Sequence, residues 1–557
     1  MSSLWLEILY AHKQSSPLII WTIAAPVFLM IITHLISTFH FHRIARTAKP
    51  GSEPPTAPYW LPGLYHLPGL MLGPSPYIQR LLNGYGSLAP FFFRAGPVRF
   101  LVVTDPSHIK SIFLASKQIT PKTFHLTVFE KVLGLPKPAV EIYAADESKC
   151  KETKAVNFAH LTLNRKYMSG TALTELTELY VRALRKNLSR MNFDSRRWTT
   201  IEDIWAFFRR EIPNATIEVI LGPSILDMHP DIVGQFWAFD DNLQEYSRRL
   251  LRHALTTSPY AARDRILGSL KAWISSSQPE IPDTEAITKE AFWNPNTGSK
   301  LFRHRDSIFA GIPGMGLDGR ASETLGLLQA ANANTVPSTF WYIFEALKDD
   351  DLRHRLKCEL DSHSDDILSI CSSPLLQSMQ SEVTRCRMAT AVIRRVEADD
   401  VILAGRYSIP KGTTVLAFPS DSALNTEAWR KIRPQSVMRP LEKFWAERFL
   451  THDTRDTGDE SAEKNPRKDN SAMKYSTEGL NALHFTFGGG QNMCPGKAWA
   501  KNIQIATLAV LFTDYEVELI DVEAANSLIP PLRQTAVGTI KPLAKVGVRI
   551  RARSEQL

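Results

Sequence analysis

The stretch Phe487-Gly-Gly-Gly-Gln-Asn-Met-Cys494-Pro-Gly496 constrains this chain more than any other. Glycine reaches φ > 0 without steric cost and lets a backbone come close to another group. The segment therefore reads as a tight turn that presents one thiol. The apolar run from Ala498 to Phe512 follows at once and reads as a helix. A helix N-terminus offers unpaired N–H groups and the positive end of a dipole, which favour a thiolate. A single thiolate delivered in this way is a candidate axial ligand to haem iron, onto which it pushes electron density. The plain alternative is a glycine loop that ends in an ordinary buried cysteine. The other cysteines (Cys150, Cys358, Cys371, Cys386) show no paired spacing, and a total of five without a framework argues for a reducing compartment. No Cys/His cluster suggests zinc.

Three more pieces lie upstream. Glu382-Val-Thr-Arg385 sets opposite charges at i and i+3, one face of a helix. Trp445-Ala446-Glu447-Arg448-Phe449 supplies another arginine. Between them, Arg395 to Val415 reads as strand, turn, strand, punctuated by Gly405, Pro410 and Gly412. Arg395 read alone is a surface strand arginine beside Asp399 and Asp400. Earlier comes Ala331-Asn-Ala-Asn334-Thr335-Val-Pro337. Pro337 has no N–H and clashes with the carbonyl of Ala333, so a helix here is expected to open at that point. The bland reading is a proline-kinked core helix with small residues for close packing.

Taken in order, these pieces resemble the cytochrome P450 family, the haem-thiolate monooxygenases. The family's cysteine loop reads Phe-x-x-Gly-x-Arg/His-x-Cys-x-Gly. The chain matches at Phe487, Gly490, Cys494 and Gly496, with Asn492 where the family has an Arg or His that bonds a haem propionate. The resemblance implies a mainly α fold: one large helical domain with a small β-sheet region. It implies Cys494 as the iron ligand in a haem-binding loop with Phe487, Gly490 and Asn492, and Arg395 as a propionate contact. Glu382, Arg385 and Arg448 would form a buried structural triad, with Ala446 in place of the family's proline. Thr335 would relay protons for oxygen activation, with Asn334 in place of an acid and able only to hold a water. The family's early-helix Trp-x-x-x-Arg has no clear counterpart; Asn164, Arg165 and Lys166 lie in its region.

The Asn-Thr-x-Pro variant resembles the branch that holds cholesterol 7α-hydroxylase, sterol 12α-hydroxylase and prostacyclin synthase. It implies a hydrophobic, terpenoid- or steroid-like substrate, O2 as co-substrate, and a place in specialised biosynthesis. NADPH electrons would arrive through a separate flavoprotein reductase, because the chain has no flavin or nicotinamide motif. Lys497 and Lys501 would lie on the face where that donor docks, or on an ordinary solvated helix face. Thr335 favours monooxygenation. Asn334 keeps open an isomerase or dehydratase that rearranges a peroxide without external electrons, and a haem sensor or carrier is a further rival.

Pro17 to Phe39 carries no formal charge, and about 23 residues at roughly 1.5 Å each can span a bilayer core. Arg43, Arg46 and Lys49 follow it. The positive-inside bias then predicts a single-pass endoplasmic reticulum anchor with the bulk of the chain in the cytosol. The basic flank and length disfavour a cleaved signal. The expected organisation is a lumenal end (1–16), an anchor (17–39), a basic and proline-rich hinge (40–63) and one catalytic domain (64–557). Net charge is +8 with pI near 9.1. The basic residues are dispersed, which speaks against nucleic acid and fits an anionic membrane and an acidic redox partner. Helical periodicity covers 171–192, 201–221, 233–256 and 262–275. Residues 276–300 and 311–319 read as loops, and 451–478 as a charged surface insertion.

Overall fold

The computed structural model describes residues 2–247, 258–277, 284–363, 366–399, 401–452, 473–527, 529–530 and 538–553. Their contacts divide the chain into two compact units, residues 1–121 with 391–418 and residues 122–390 with 419–557.

The first unit holds helix α1 (Ser2–Thr47) and a five-stranded sheet. Strands Phe91–Ala95 and Val98–Val103 form an antiparallel hairpin around Gly96, which sits at φ 57°. Strand Thr414–Ala417 runs parallel to Val98–Val103 and antiparallel to Val392–Val396, with Thr414 opposite Arg395. Ile119–Thr120 closes the far edge. Asp105 caps the helix after the hairpin by accepting from the Ser107 and His108 amides, with Pro106 in its first turn.

The stretch Ala24–Thr47 of α1 is long and apolar enough to cross a membrane. The helix does not end at Phe39. Phe41 is 1% exposed and packs with Leu81, Leu82, Phe91 and Phe93. The Ser37 hydroxyl accepts from the Tyr59 amide at 3.2 Å, and the His34 ring stacks on Trp60 at 4.1 Å. The proline-rich stretch is held too. The Ala57 amide donates to the Phe92 carbonyl at 2.7 Å, and the Phe92 amide donates to the Pro55 carbonyl at 2.8 Å. Proline removes donors from this stretch, so it can lie only along a strand edge that supplies them.

The second unit is mainly helical. The helices that build the site are α2 (Gly170–Ser189), α3 (Ile204–Leu221), α4 (Ile232–Asp240), α5 (Lys300–Ala310), α6 (Gly316–Asn332), α7 (Thr335–Lys348), α8 (Pro374–Arg387) and α9 (Lys497–Asp514). Helix α2 buries Leu176, Tyr180, Leu184 and Leu188, a stripe at four-residue spacing. Helix α7 is buried on every side from Thr335 to Leu347, which makes it the centre of the unit. It packs on α3, α8 and α9. Helix α6 is held to α5 by buried charge. Arg305 donates to Glu323 at 3.0 Å and Arg320 to Asp306 at 2.9 Å. A three-stranded sheet, Tyr515–Leu519, Val548–Ala552 and Thr199–Ile201, flanks the helices.

Some expected elements differ. Residues 276–300 are not all loop: they contain helix Thr284–Lys289 and a small hairpin, Trp293–Asn294 with Gly298–Ser299. The Trp293 indole donates to the Val219 carbonyl at 3.1 Å, a contact that local polarity does not announce. Helix α6 begins at Gly316, inside the expected 311–319 loop. The helix expected over 233–256 is interrupted after Asp240 and resumes over Leu243–Ser247; 248–257 lies outside the described residues, as does most of the 451–478 insertion.

Phe41→Ala is expected to destabilise the first unit by about 3–5 kcal/mol, the usual cost of emptying a buried phenylalanine site. Limited proteolysis should then cut faster between residues 48 and 63. Phe39→Ala, at a position 65% exposed, should leave the cleavage rate unchanged.

Candidate active site

Gly488 and Gly490 take φ 73° and 65°, backbone conformations that a side chain would oppose, and so let the loop turn. The Cys494 amide donates to the Phe487 carbonyl at 2.9 Å and closes it. Asn492 ends a short 3-10 turn, Gly490–Asn492. Gly496 precedes α9, and a Cβ there would lie 3.9 Å from the Cys494 sulfur. The sulfur is accessible to solvent yet crowded by surrounding protein.

The thiol does not follow the expectation drawn from the helix N-terminus. Burial pushes its pKa above the ordinary cysteine value, and the Gly496 and Lys497 amides with the Lys497 charge only partly offset this. Desolvation outweighs the dipole. Lys497 is half-buried with its ammonium 5.9 Å over the Phe487 ring, and burial lowers its own pKa. Lys501 is half-buried as well.

Among the described residues no group of three or more His, Cys, Asp or Glu side chains could hold a metal ion. One sulfur cannot hold a bare ion, but it suffices where a macrocycle supplies the other ligands. A glycine-rich turn that presents one exposed cysteine fits a haem.

Glu382, Arg385 and Arg448 meet, and all three side chains are 0% exposed. Arg385 donates to both carboxylate oxygens at 2.7 and 2.8 Å, and Arg448 donates at 2.9 Å. The Trp445 amide adds a bond at 3.0 Å. Burial would raise the Glu382 carboxyl, but the two guanidiniums outweigh it and hold the group below its ordinary value. The Arg448 guanidinium also donates to the carbonyls of Ser436, Arg439, Pro440 and Lys443.

The long helix opens where Pro337 removes a donor: α6 ends at Asn332 and α7 starts at Thr335. Thr335 is 4% exposed. Asn334 does not point a free carboxamide oxygen at a relay. That oxygen accepts from the Thr539 amide at 2.8 Å. Neighbouring Asn332 is spent on packing, accepting from Thr216 at 2.7 Å.

Arg395 belongs to the first unit, on strand Val392–Val396. It does not pair with Asp399, which binds Lys411 at 3.2 Å; Asp400 lies outside the described residues. Arg165 was one of three neighbours that sequence could not rank. Its guanidinium donates to the Gln491 carbonyl at 2.7 Å, inside the cysteine loop. Nothing in the local pattern marks it, because the contact joins residues 326 positions apart.

The family model for Cytochrome P450 matches residues 312–547. The chain is 26% identical to the cytochrome P450 monooxygenase efuG of Hormonema carpetanum, over 94% of this chain and 95% of that protein. It is 27% identical to the cytochrome P450 monooxygenase fsoE of Humicola fuscoatra, over 91% and 89%. A cholesterol 7-alpha-monooxygenase of Cricetulus griseus is 25% identical over 39% of this chain and 42% of its own length. With the helical fold and cysteine loop already described, the chain is similar to the cytochrome P450 family, with a likeness to the 7-alpha-hydroxylase branch. Both fungal relatives are named cytochrome P450 monooxygenases.

Removing one partner of a buried charge pair costs about 3–5 kcal/mol. Arg448→Met should show a loss of that order in chemical denaturation. The Glu382 carboxyl is depressed on folding, so its contribution is complete above the unfolded value, about pH 4.3. It disappears as pH falls through the lower folded value. Glu382→Gln should be less stable at neutral pH and should lack this part of the acid limb in a pH series of unfolding curves.

Proposed function

We propose that this monooxygenase inserts one oxygen atom from O2 into a hydrophobic, terpenoid- or steroid-like substrate in specialised biosynthesis. Haem, when bound, supplies dioxygen activation, with a thiolate ligand favouring O–O cleavage. The observation that carries the reading is the Cys494 loop leading into α9, in a unit where α9 packs on α7, the helix that starts at Thr335. Cys494 is the metal ligand, and its glycine neighbours Gly490 and Gly496 leave room for a flat group. Phe487 closes the loop through its carbonyl. Thr335 is the proton-handling residue, placed at the start of α7 where Pro337 removes one helical donor.

A haem carries two carboxylates, and Asn492 brings no charge to meet them. Arg165 supplies a cation against the same loop, and we assign it with Asn492 to seating the carboxylates; the family resemblance alone implies the same role for Arg395. Support for an anchor is the apolar stretch Ala24–Thr47. Residues 17–39 would span the endoplasmic reticulum membrane once, with 1–16 lumenal and 64–557 in the cytosol. Electrons would come from NADPH through a separate reductase, which the cationic Lys497 and Lys501 would help to dock. The retained Thr335 favours this reading over an isomerase or dehydratase.

The reduced, carbon-monoxide-bound protein should show the strongly red-shifted Soret band of thiolate-ligated haem, and Cys494→Ser should lose it. A band at the position typical of histidine ligation would overturn the assignment. Substrate-dependent NADPH consumption with added reductase separates monooxygenation from peroxide rearrangement, which would turn over without it. Arg165→Ala should lose haem to apomyoglobin several-fold faster than the parent protein, with Arg165→Lys in between.

A further inference from the structure

The helix break is not free-standing. The segment Gly538 to Lys541 runs past it as a strap. The Asn334 carboxamide oxygen accepts from the Thr539 amide at 2.8 Å, and the Thr539 hydroxyl donates back to the Asn334 carbonyl at 3.3 Å. The same hydroxyl lies 3.1 Å from that of Ser338. Trp341, one turn further along α7, donates its indole N–H to the Ile540 carbonyl at 2.6 Å. On its other side the strap is pinned to the end of α8 and the residues after it. The Ile540 amide donates to the Arg387 carbonyl at 2.9 Å, and the Ala389 amide donates to the Gly538 carbonyl at 3.0 Å. Lys541 reaches α4: its ammonium donates to Asp240 and Asp241, each at 2.9 Å. Asp240 in turn accepts from Gln329 of α6 at 2.9 Å.

Two details show that this fit is specific. Gly538 sits at φ 91°, and a Cβ there would lie 2.3 Å from the Asn334 carboxamide oxygen. Only glycine lets the strap approach so closely. Asn334 also carries the φ of −101° at which the helix is interrupted. An amide oxygen only accepts hydrogen bonds, and this one is already spent on the strap, so it cannot pass a proton.

We propose that Asn334 is a positioning residue: it latches the helix break to the Gly538–Lys541 strap, and the latch sets the backbone that carries Thr335. The strap also ties the end of α4 to the break, so the two move as one. The consequence for oxygen chemistry rests on the monooxygenase reading above; the latch itself does not.

Hydrogen–deuterium exchange of the full-length protein reads the latch directly, on the peptide that covers Thr539. Asn334→Ala should raise exchange there about tenfold, the loss of roughly one net hydrogen bond. Asn334→Asp keeps an acceptor and should stay near the parent value. Gly538→Ala should reproduce Asn334→Ala, and the double variant should be little worse than either single one. Thr539→Val retains the amide donor and should preserve most of the protection, a control should Gly538→Ala fold poorly. In turnover with reductase, Asn334→Ala should consume several-fold more NADPH per product, and Asn334→Asp should restore the ratio. Unchanged exchange in Asn334→Ala would overturn the latch. Faster exchange with an unchanged NADPH-to-product ratio would overturn its role in the reaction. Loss of the red-shifted carbon-monoxide band in the parent protein would instead remove the haem-thiolate reading and leave the exchange result standing.

Discussion

The Glu382 carboxylate is the interaction on which the second unit depends. A carboxylate taken out of water is costly unless its oxygens are fully bonded. Here the two guanidiniums and the Trp445 amide bond it. The same guanidiniums then do a second job. The stretch from Ser436 to Arg448 has almost no regular structure, so its carbonyls need donors from elsewhere. Arg448 supplies them at Ser436, Arg439, Pro440 and Lys443, and Arg385 does so at Leu441 while also bonding the Ala423 carbonyl outside the stretch. An irregular segment is thereby made rigid. Phe449 follows, fully buried, with its ring 4.8 Å from that of His484. His484 lies ten residues before Cys494, and burial drops its pKa to about 3, so it stays neutral in that packing.

Electrostatics at the sulfur run against the simplest expectation. A helix N-terminus stabilises an anion, but removal from water destabilises it by more, so the thiol is raised. Binding of a metal and loss of the proton are then a single coupled event. The opposite balance appears along α6, where His160 and Arg305 outweigh burial and hold the Glu323 carboxyl below its ordinary value. These pairs fix the helix that leads into the break, leaving the irregularity confined to Ala333 and Asn334.

Much of this was legible in the sequence, and the reason is local. Glycines that require positive φ, a proline that cannot donate and carboxylate–arginine spacing of three residues all act within a few positions of themselves. Gly488, Gly490, Pro337 and the Glu382–Arg385 pair therefore announce their turn, break and ion pair. The hairpin at Gly96 and the cap at Asp105 are of the same kind. Other features depend on partners far along the chain. The Arg165 contact with Gln491 and the Asn334 contact with Thr539 involve ordinary residues whose role comes only from what folding sets beside them. The continuation of α1 to Thr47 is similar, since Phe41 is one more apolar residue until a core forms around it.

By itself, then, the sequence determined the elements whose causes are short-range: the glycine turn that presents Cys494, the opened helix at Thr335, the paired charges on α8 and the apolar stretch of α1. Only the tertiary structure decided how polar groups are shared across distance. It placed Arg448 on Glu382, spent the Asn334 oxygen on the strap, and raised rather than lowered the thiol of Cys494. Hydrogen-bond satisfaction and desolvation are properties of the whole packed surroundings, and no window of sequence contains them.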